Sequence, residues 1–261
     1  MSDQYLDQLF GLTDRVAVVI GGTGVLGGAL CEGLAQAGAT VVVAGRDAQR
    51  AEERVAAIKE LGGQATPATV DVSSRSSIEA LLAEVLESHA RVDILVNCAG
   101  VNSATPYFEI PEDEWDRILS INLKSTHFGC QVFGQHMAQS DTGGSILNIG
   151  SVSSDRPLSR VFAYSASKAA VISLTRNVAR ELAPKGVRVN ALCPGFFPAE
   201  QNRKILDEQR VEDIMRRTPM ARFGEPSELV GAALLLLSPV AGSFITGVSV
   251  YVDGGFTAMS I

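Results

Sequence analysis

Short runs of β-branched and aliphatic residues alternate with longer amphipathic segments, and this alternation constrains the fold more than any other feature. The segments "DAQRAEERVAAIKEL" and "RSSIEALLAEVLESH" have the periodicity of helices. Strands that are apolar on both faces and separated by helices form parallel sheets, because parallel strands require crossover connections. We therefore predict an α/β fold, a doubly wound parallel sheet of about seven strands. The predicted strands are 16–20, 40–44, 65–72, 92–97, 145–150, 187–193 and 248–252.

Length and composition favour one globular domain that binds a small molecule. The 261 residues are 46% hydrophobic, and neither a linker nor an internal repeat interrupts them, so we expect a single domain over 1–261. A formal net charge of -7 argues against a nucleic-acid partner, because no basic stripe offsets the repulsion from phosphates.

Targeting and metal signals are weak. The first fifteen residues are acidic where a signal peptide is basic, and the uncharged stretch 229–252 is broken by Ser238-Pro239 and Gly242. We expect neither export nor a membrane span.

The four cysteines form no CxxC pair, which is typical of reduced thiols in the cytoplasm. His127 and Cys130 lack further ligands, so no metal site is predicted.

A glycine-rich stretch, "GGTGVLGG" at 21–28, follows the first predicted strand and precedes a helix. Gly22, Gly24 and Gly27 match GxGxxG in the strand–turn–helix context of a dinucleotide site. Residues without a Cβ let backbone N–H groups approach a pyrophosphate at the positive end of the helix. The alternative is a glycine turn that serves packing alone.

Three positions at the ends of the second and third strands are expected to lie near the adenosine end of such a cofactor. Gly45 occupies the place where an acidic residue would bind the ribose hydroxyls of NAD, and Arg46 follows it. A guanidinium suits a 2′-phosphate, which favours NADP over NAD, although Arg46 can instead stack on adenine or face water. Asp71 can accept from the adenine amino group or cap the next helix.

The stretch "AYSASKAAV" contains a candidate proton donor. Tyr164 and Lys168 are four residues apart, about one helical turn, so their side chains share a helix face. An ammonium about 5 Å from a phenol lowers the pKa of the phenol by about two units at an effective dielectric near 20. We therefore expect Tyr164 to titrate at about 8 and to exchange a proton with a carbonyl or alcohol oxygen. A tyrosine and a lysine also fall at this spacing by chance.

Together with "NCAG" (97–100), "SINLKS", "NIGSVSS", "PG" (194–195) and "YVDGG" (251–255), these motifs resemble the short-chain dehydrogenase/reductase family, which has a Rossmann fold. The resemblance covers nearly the whole chain in the right order. It implies reversible hydride transfer between a nicotinamide and a carbonyl or alcohol carbon. The implied catalytic residues are Asn122, Ser151, Tyr164 and Lys168. The expected cofactor-binding residues are Gly21, Gly22, Thr23, Gly24, Val25, Leu26, Gly27, Arg46, Asp71, Val72, Asn97, Ala99, Gly100, Tyr164, Lys168, Pro194, Gly195 and Phe197.

The resemblance also gives each site residue a role. Lys168 would hold the nicotinamide ribose, Ser151 would donate to the substrate oxygen, and Asn122 would hold a water that relays protons to Lys168. In isolation Ser151 reads as a turn residue and Asn122 as a solvated helix residue. The chain departs from the family at Ala199, where relatives carry a threonine that contacts the carboxamide, and at Ile20 and Val25.

The substrate is predicted from the segment after the nicotinamide loop. Residues 196–220 are polar and amphipathic, and form a candidate lid. The motifs "PGFFPAEQNRKIL" and "DGGFTAMSI" resemble a subgroup of D-mannonate (fructuronate) oxidoreductases, which implies a sugar acid or polyol. Side chains that suit a sugar acid, or that are simply solvated, are Arg156, Arg160, Gln201, Asn202 and Arg203.

Two other functions fit the same motifs. A reductase of 3-oxoacyl thioesters or other ketones would require an apolar cleft, which the polar lid disfavours. A sensor that binds a dinucleotide without chemistry would not require the four catalytic residues. The family resemblance also implies a homo-oligomer, a tetramer, assembled through the segments around 115–137 and 163–182.

Overall fold

The computed structural model describes residues 2–197 and 207–259. Its seven strands are β1 (Val16–Ile20), β2 (Thr40–Gly45), β3 (Gln64–Thr69), β4 (Ile94–Asn97), β5 (Gly144–Ile149), β6 (Val187–Pro194) and β7 (Ser249–Val252). Its α-helices are α1 (Ser2–Phe10), α2 (Val25–Gln36), α3 (Ala48–Glu60), α4 (Arg75–His89), α5 (Glu112–Leu119), α6 (Ser125–Met137), α7 (Phe162–Leu182), α8 (Glu208–Arg217) and α9 (Val230–Leu237).

The strands form one parallel sheet in the order β3-β2-β1-β4-β5-β6-β7. The predicted α/β Rossmann class and all seven predicted strands are confirmed, with ends that move by up to three residues. Strand order reverses beside β1, because β2 lies on one side of it and β4 on the other. The carboxyl ends of β1 and β4 therefore flank the crevice in which doubly wound sheets bind their ligands.

Alternating side chains of the sheet fill two separate cores. In β1, Ala17 and Val19 face the core beneath α2, α3 and α9, whereas Val16, Val18 and Ile20 face the core beneath α4 and α6. Every residue of β1 is buried, which explains why the strand reads as a continuous apolar run. No helix in the described residues has both the length and the apolar content that a membrane crossing requires.

Buried polar side chains join the strands that carry the site. The amide of Asn97, at the end of β4, donates to the Asn148 side chain in β5 at 2.9 Å. Asn148 in turn donates to the hydroxyl of Thr175 in α7, also at 2.9 Å. This chain of hydrogen bonds fixes α7, which carries Tyr164 and Lys168, against the carboxyl ends of β4 and β5.

Candidate active site

The turn after β1 requires glycine at two positions. Gly21 has a φ of +90°, and a Cβ there would lie 2.6 Å from the backbone nitrogen of Ala99. A Cβ at Gly27 would collide with the carbonyl oxygen of Gly21. The chain therefore turns tightly enough for the N-terminus of α2 to face the crevice. The Gly24 N–H donates to the Gly21 carbonyl at 3.1 Å, and no side chain of the described residues caps the helix, so its first turn can donate to a bound anion.

A cleft of about 740 Å³ begins at this turn and runs across the carboxyl ends of the sheet. Its size, its glycine cradle and its helix N-terminus fit a dinucleotide. Most of the expected cofactor-binding residues line it: Gly21, Thr23, Gly24, Val25, Leu26, Gly27, Arg46, Asp71, Val72, Ala99, Gly100, Tyr164 and Lys168. Among residues that we did not predict, Gly45, Arg50, Arg54, Ser73, Asn102 and Ile121 also line it.

The far end of the cleft carries the adenosine-side candidates. Arg46 and Asp71 are both exposed there, and the positive charge of Arg46 contributes to lowering the pKa of Asp71. The main cause of that lower pKa is Ser73, whose hydroxyl and N–H donate to Asp71 at 2.7 and 3.0 Å. The alternative role of Asp71 as a helix cap is wrong, because Ser74 caps α4 by accepting from the Ser77 N–H.

Tyr164 lies where the cleft meets a second, smaller cavity. It lines both, together with Asn102, so a group bound in either cavity reaches its side chain. Lys168 is buried one turn along α7, with its Nζ 5.7 Å from the centre of the Tyr164 ring. The same Nζ donates to the carbonyl oxygen of Ile149, at the end of β5, at 2.7 Å.

Ser151 stands opposite Tyr164, and their side chains are hydrogen-bonded. The Ser151 Oγ accepts from both the N–H and the hydroxyl of Ser153, each at 3.1 Å. Because those two bonds occupy its acceptor positions, Ser151 donates its own proton toward Tyr164, and a substrate oxygen that enters between the two side chains can accept it instead. The reading of Ser151 as a turn residue is also correct, since it caps the short 3₁₀ turn at Val152–Ser154.

Asn122 is fully buried in a π-helical turn, Ser120–Lys124, between α5 and α6. Its side chain accepts from the N–H of Val101 at 2.8 Å and donates to the Val101 carbonyl at 2.9 Å. It also donates to the hydroxyl of Ser167 in α7 at 3.0 Å. Asn122 therefore connects the loop after β4 to α7. The alternative in which Asn122 is a solvated helix residue is wrong.

Comparisons with known proteins agree with this geometry. A family model described as Enoyl-(Acyl carrier protein) reductase matches residues 23–257. An NAD-dependent glycerol dehydrogenase of Listeria innocua is 36% identical, over 98% of this chain and 99% of that protein. A 5-keto-D-gluconate 5-reductase of Escherichia coli is 34% identical, over 96% and 98%. The chain belongs to the short-chain dehydrogenase/reductase family.

A solved structure extends the comparison. The gluconate 5-dehydrogenase of Burkholderia cenocepacia, solved in complex with NADP and tartrate, has a TM-score of 0.93 and 32% identity, over 98% of this chain and all of that one. As a member of this family, the protein is an NAD(P)-dependent oxidoreductase.

The protonation of the tyrosine differs from the sequence-based expectation. Burial raises the pKa of Tyr164 above its ordinary value, and the hydrogen bond from Ser151 offsets this only in part. Burial also lowers the pKa of Lys168, to about 8. The expected fall of the Tyr164 pKa to about 8 is therefore wrong, because desolvation of both groups outweighs their attraction.

The second cavity has a volume of about 80 Å³. Gly195 and Phe197 line this cavity rather than the cofactor cleft, and Pro194 ends β6 without lining either. Its other lining residues are Asn102, Ser151, Val152, Leu158, Val161, Tyr164, Phe196, Arg210 and Phe223. No motif signals Leu158, Arg210 or Phe223, although Leu158 lies between Ser151 and Tyr164 and Arg210 lies in the predicted lid segment.

Several predicted residues lie elsewhere. The side chain of Asn97 is buried in the interstrand network, and Gly22 packs against Cys31 beneath the turn. Arg156 is exposed and donates to the Thr257 carbonyl, and Arg160 pairs with Asp207 at 3.2 Å. Gln201, Asn202, Arg203 and Ala199 lie outside the described residues, as does part of the candidate lid, which includes α8.

Proposed function

We propose that this enzyme transfers hydride between the nicotinamide and a secondary alcohol or ketone of a small polyhydroxylated substrate, a sugar acid or polyol. The observation that carries the proposal is the position of Tyr164 at the junction of the two cavities, between Ser151 and Lys168. Relatives named for 5-keto-D-gluconate and glycerol support this substrate class. So does the resemblance to the D-mannonate (fructuronate) oxidoreductase subgroup.

Tyr164 acts as the proton donor in reduction and as the proton acceptor in oxidation. When bound, the nicotinamide supplies or accepts the hydride. A raised pKa keeps the phenol protonated at neutral pH, which suits donation to a forming alkoxide. Ser151 transfers its hydrogen bond from Tyr164 to the substrate oxygen when the substrate binds, which orients that oxygen and stabilises the developing charge.

Lys168 and Asn122 complete the proposed machinery. The buried Lys168 ammonium faces the cleft and binds the nicotinamide ribose, and its charge stabilises the tyrosinate form when oxidation proceeds. Asn122 positions the loop after β4, because both amide hydrogens and one acceptor position of its side chain are engaged by Val101 and Ser167. The remaining acceptor position of its side-chain oxygen would hold the water that relays protons to Lys168.

The adenosine end favours NADP. Arg46 is exposed at the cleft and offers its guanidinium to a 2′-phosphate. Asp47, the acidic residue that argues against this, caps α3 by accepting from the Arg50 N–H at 3.1 Å, so its carboxylate serves the helix. We further propose a single catalytic domain over 1–261, a lid at 196–220, a cytoplasmic location and a homotetramer.

A second candidate is a ketone reductase with a more apolar substrate. Six apolar side chains line the second cavity: Val152, Leu158, Val161, Phe196, Phe197 and Phe223. Pockets for polar ligands also have mostly apolar walls with a few placed polar groups, and Asn102, Ser151, Tyr164 and Arg210 supply them here. We therefore rank the polar substrate first.

The test is a substrate panel. Purified protein with NADP or NAD is assayed against aldonates, polyols, 3-hydroxyacyl thioesters and hydroxysteroids by nicotinamide absorbance. We expect turnover of an aldonate or polyol, and a loss of about 10³-fold in kcat for Tyr164→Phe with cofactor affinity unchanged. Preference for the thioester or steroid would establish the second candidate, and full activity of Tyr164→Phe would remove the proposed proton donor.

A further inference from the structure

Helix α8 brings one cation to the substrate cavity. Arg210 lies in the first turn of α8 and is the only charged side chain among the described residues that line this cavity. It shares the cavity with Ser151 and Tyr164, which face the reacting oxygen. A ligand that fills the cavity therefore contacts the proposed proton donor and the guanidinium together.

The guanidinium is held in place by neutral groups. Its Nη1 donates to the hydroxyl of Ser159 at 2.9 Å, and its Nη2 donates to the Ser159 carbonyl at 3.0 Å. A guanidinium has five N–H donors, so these bonds leave donors for a ligand. Ser159 belongs to the segment between Ser151 and α7, which fixes Arg210 relative to the reacting end of the cavity.

The two carboxylates that act on this cation are each paired with another arginine. Asp207 pairs with Arg160 and Asp213 with Arg216, and no ion pair among residues 2–197 and 207–259 includes Arg210. Partial burial, followed by repulsion from Arg160, lowers the pKa of Arg210, and attraction to Asp207 and Asp213 offsets this only in part. An anion bound beside Arg210 would relieve both penalties, whereas a neutral hydroxyl would relieve them only weakly.

We propose that Arg210 binds the carboxylate of the substrate, and so makes this enzyme select a sugar acid over the neutral polyol of the same length. The inference rests on the proposed function, because it assigns the far end of the same substrate. Fork-shaped recognition suits a carboxylate, and the Ser159 bonds pre-orient the fork.

The test compares two probes that differ only at one end. D-gluconate and D-glucitol are titrated into the complex of the protein with saturating NADPH, which cannot accept hydride from them, and their dissociation constants are measured by calorimetry. We expect Arg210→Gln to weaken D-gluconate binding by about 10- to 100-fold and D-glucitol binding by less than about threefold. Arg210→Lys keeps the charge without the fork and should fall between wild type and Arg210→Gln.

A matched control lies on the same helix. Arg216 is 74% exposed and pairs with Asp213, so Arg216→Gln removes a cation from α8 without touching the cavity. It should bind both probes like the wild type. An equal loss of both probes in Arg210→Gln, or wild-type binding of D-gluconate no tighter than that of D-glucitol, would overturn the proposal.

Kinetics separates this inference from the proposed function. With the sugar acid turned over in the panel, Arg210→Gln should raise KM by about 10- to 100-fold and change kcat by less than about threefold. Unchanged KM with sustained turnover would refute the role of Arg210 and leave the proposed function intact. Selective loss of D-gluconate affinity in a protein that oxidises neither sugar acids nor polyols would confirm the anion site and refute the proposed function.

Discussion

The cofactor cleft and the substrate cavity meet at Tyr164 but are built differently. The cleft lies at the carboxyl ends of β1 to β5, and at one end the glycine turn presents backbone to the ligand. The substrate cavity is formed by side chains from loops and from α8, which are far apart in the chain. A backbone cradle accepts one ligand shape, whereas loop side chains can be exchanged without disturbing the sheet. Members of one family can therefore keep the cofactor and change the substrate.

The strongest test of the backbone cradle is Gly27→Ala. The added methyl would collide with the Gly21 carbonyl, so the turn must shift away from the phosphates. We expect the dissociation constant for NADP to rise about 100-fold, as measured by nucleotide titration. The control is Gly231→Ala in α9, where a Cβ would meet no atom within 4 Å. Equal affinity in both variants would mean that side chains, and not backbone, define the cleft.

The pH profile probes the junction of the two regions. Alcohol oxidation requires that the Tyr164–Lys168 pair has lost one proton, with Tyr164 deprotonated and Lys168 charged. The pair as a unit loses its first proton with an apparent pKa of about 8, which is the pKa of the buried lysine. Oxidation should therefore rise about tenfold per pH unit below 8 and level off above it. Measured kcat/KM values that keep rising through pH 10 would show that Lys168 does not limit the profile.

Arg46 tests whether one side chain at the adenosine end of the cleft decides the preference between NADP and NAD. Arg46→Gln removes the guanidinium that faces the adenosine end of the cleft. The ratio of kcat/KM for NADP to that for NAD should fall about tenfold, because a charge-assisted hydrogen bond at an exposed position is lost. An unchanged ratio would place Arg46 on the adenine or in solvent, as the alternative reading of the sequence has it.

Ser153 gives the smallest effect and sharpens the substrate side. Ser153→Ala removes the hydroxyl that donates to the Ser151 Oγ and leaves the Ser153 N–H in place. We expect kcat to fall about fivefold while KM for the cofactor stays the same, because one neutral hydrogen bond is lost. Ser173→Ala, at an exposed position of α7, is the control. A loss equal to that of the control would mean that the Ser153 N–H alone orients Ser151.

The sequence predicted the cofactor cleft more completely than the substrate cavity, for a physical reason. Strands such as β1 were predictable because both faces are buried, and the glycine turn because its neighbours are adjacent in the chain. Arg210 could not be predicted, since its partner Ser159 lies 51 residues away and neither residue belongs to a motif.

The helix-cap alternative for Asp71 and the expected pKa of Tyr164 are wrong for reasons that the sequence does not show. The N-cap of α4 is Ser74, three residues after Asp71. Aspartate and serine can both cap a helix, so the sequence alone does not show which of these neighbouring residues does so. The pKa of Tyr164 depends on how far it is desolvated, and the spacing to Lys168 carries no information on that.

The close packing between β2 and the glycine turn makes a change of coenzyme depend on two residues. A Cβ at Gly45 would lie 2.6 Å from the Oγ1 of Thr23, so an aspartate introduced there to bind the ribose hydroxyls would displace the glycine turn. An acid at this position therefore requires a smaller residue than Thr23, for example glycine, in the same variant. The aspartate alone would carry the steric penalty, so the size of Thr23 restricts which ribose-binding side chains can replace Gly45.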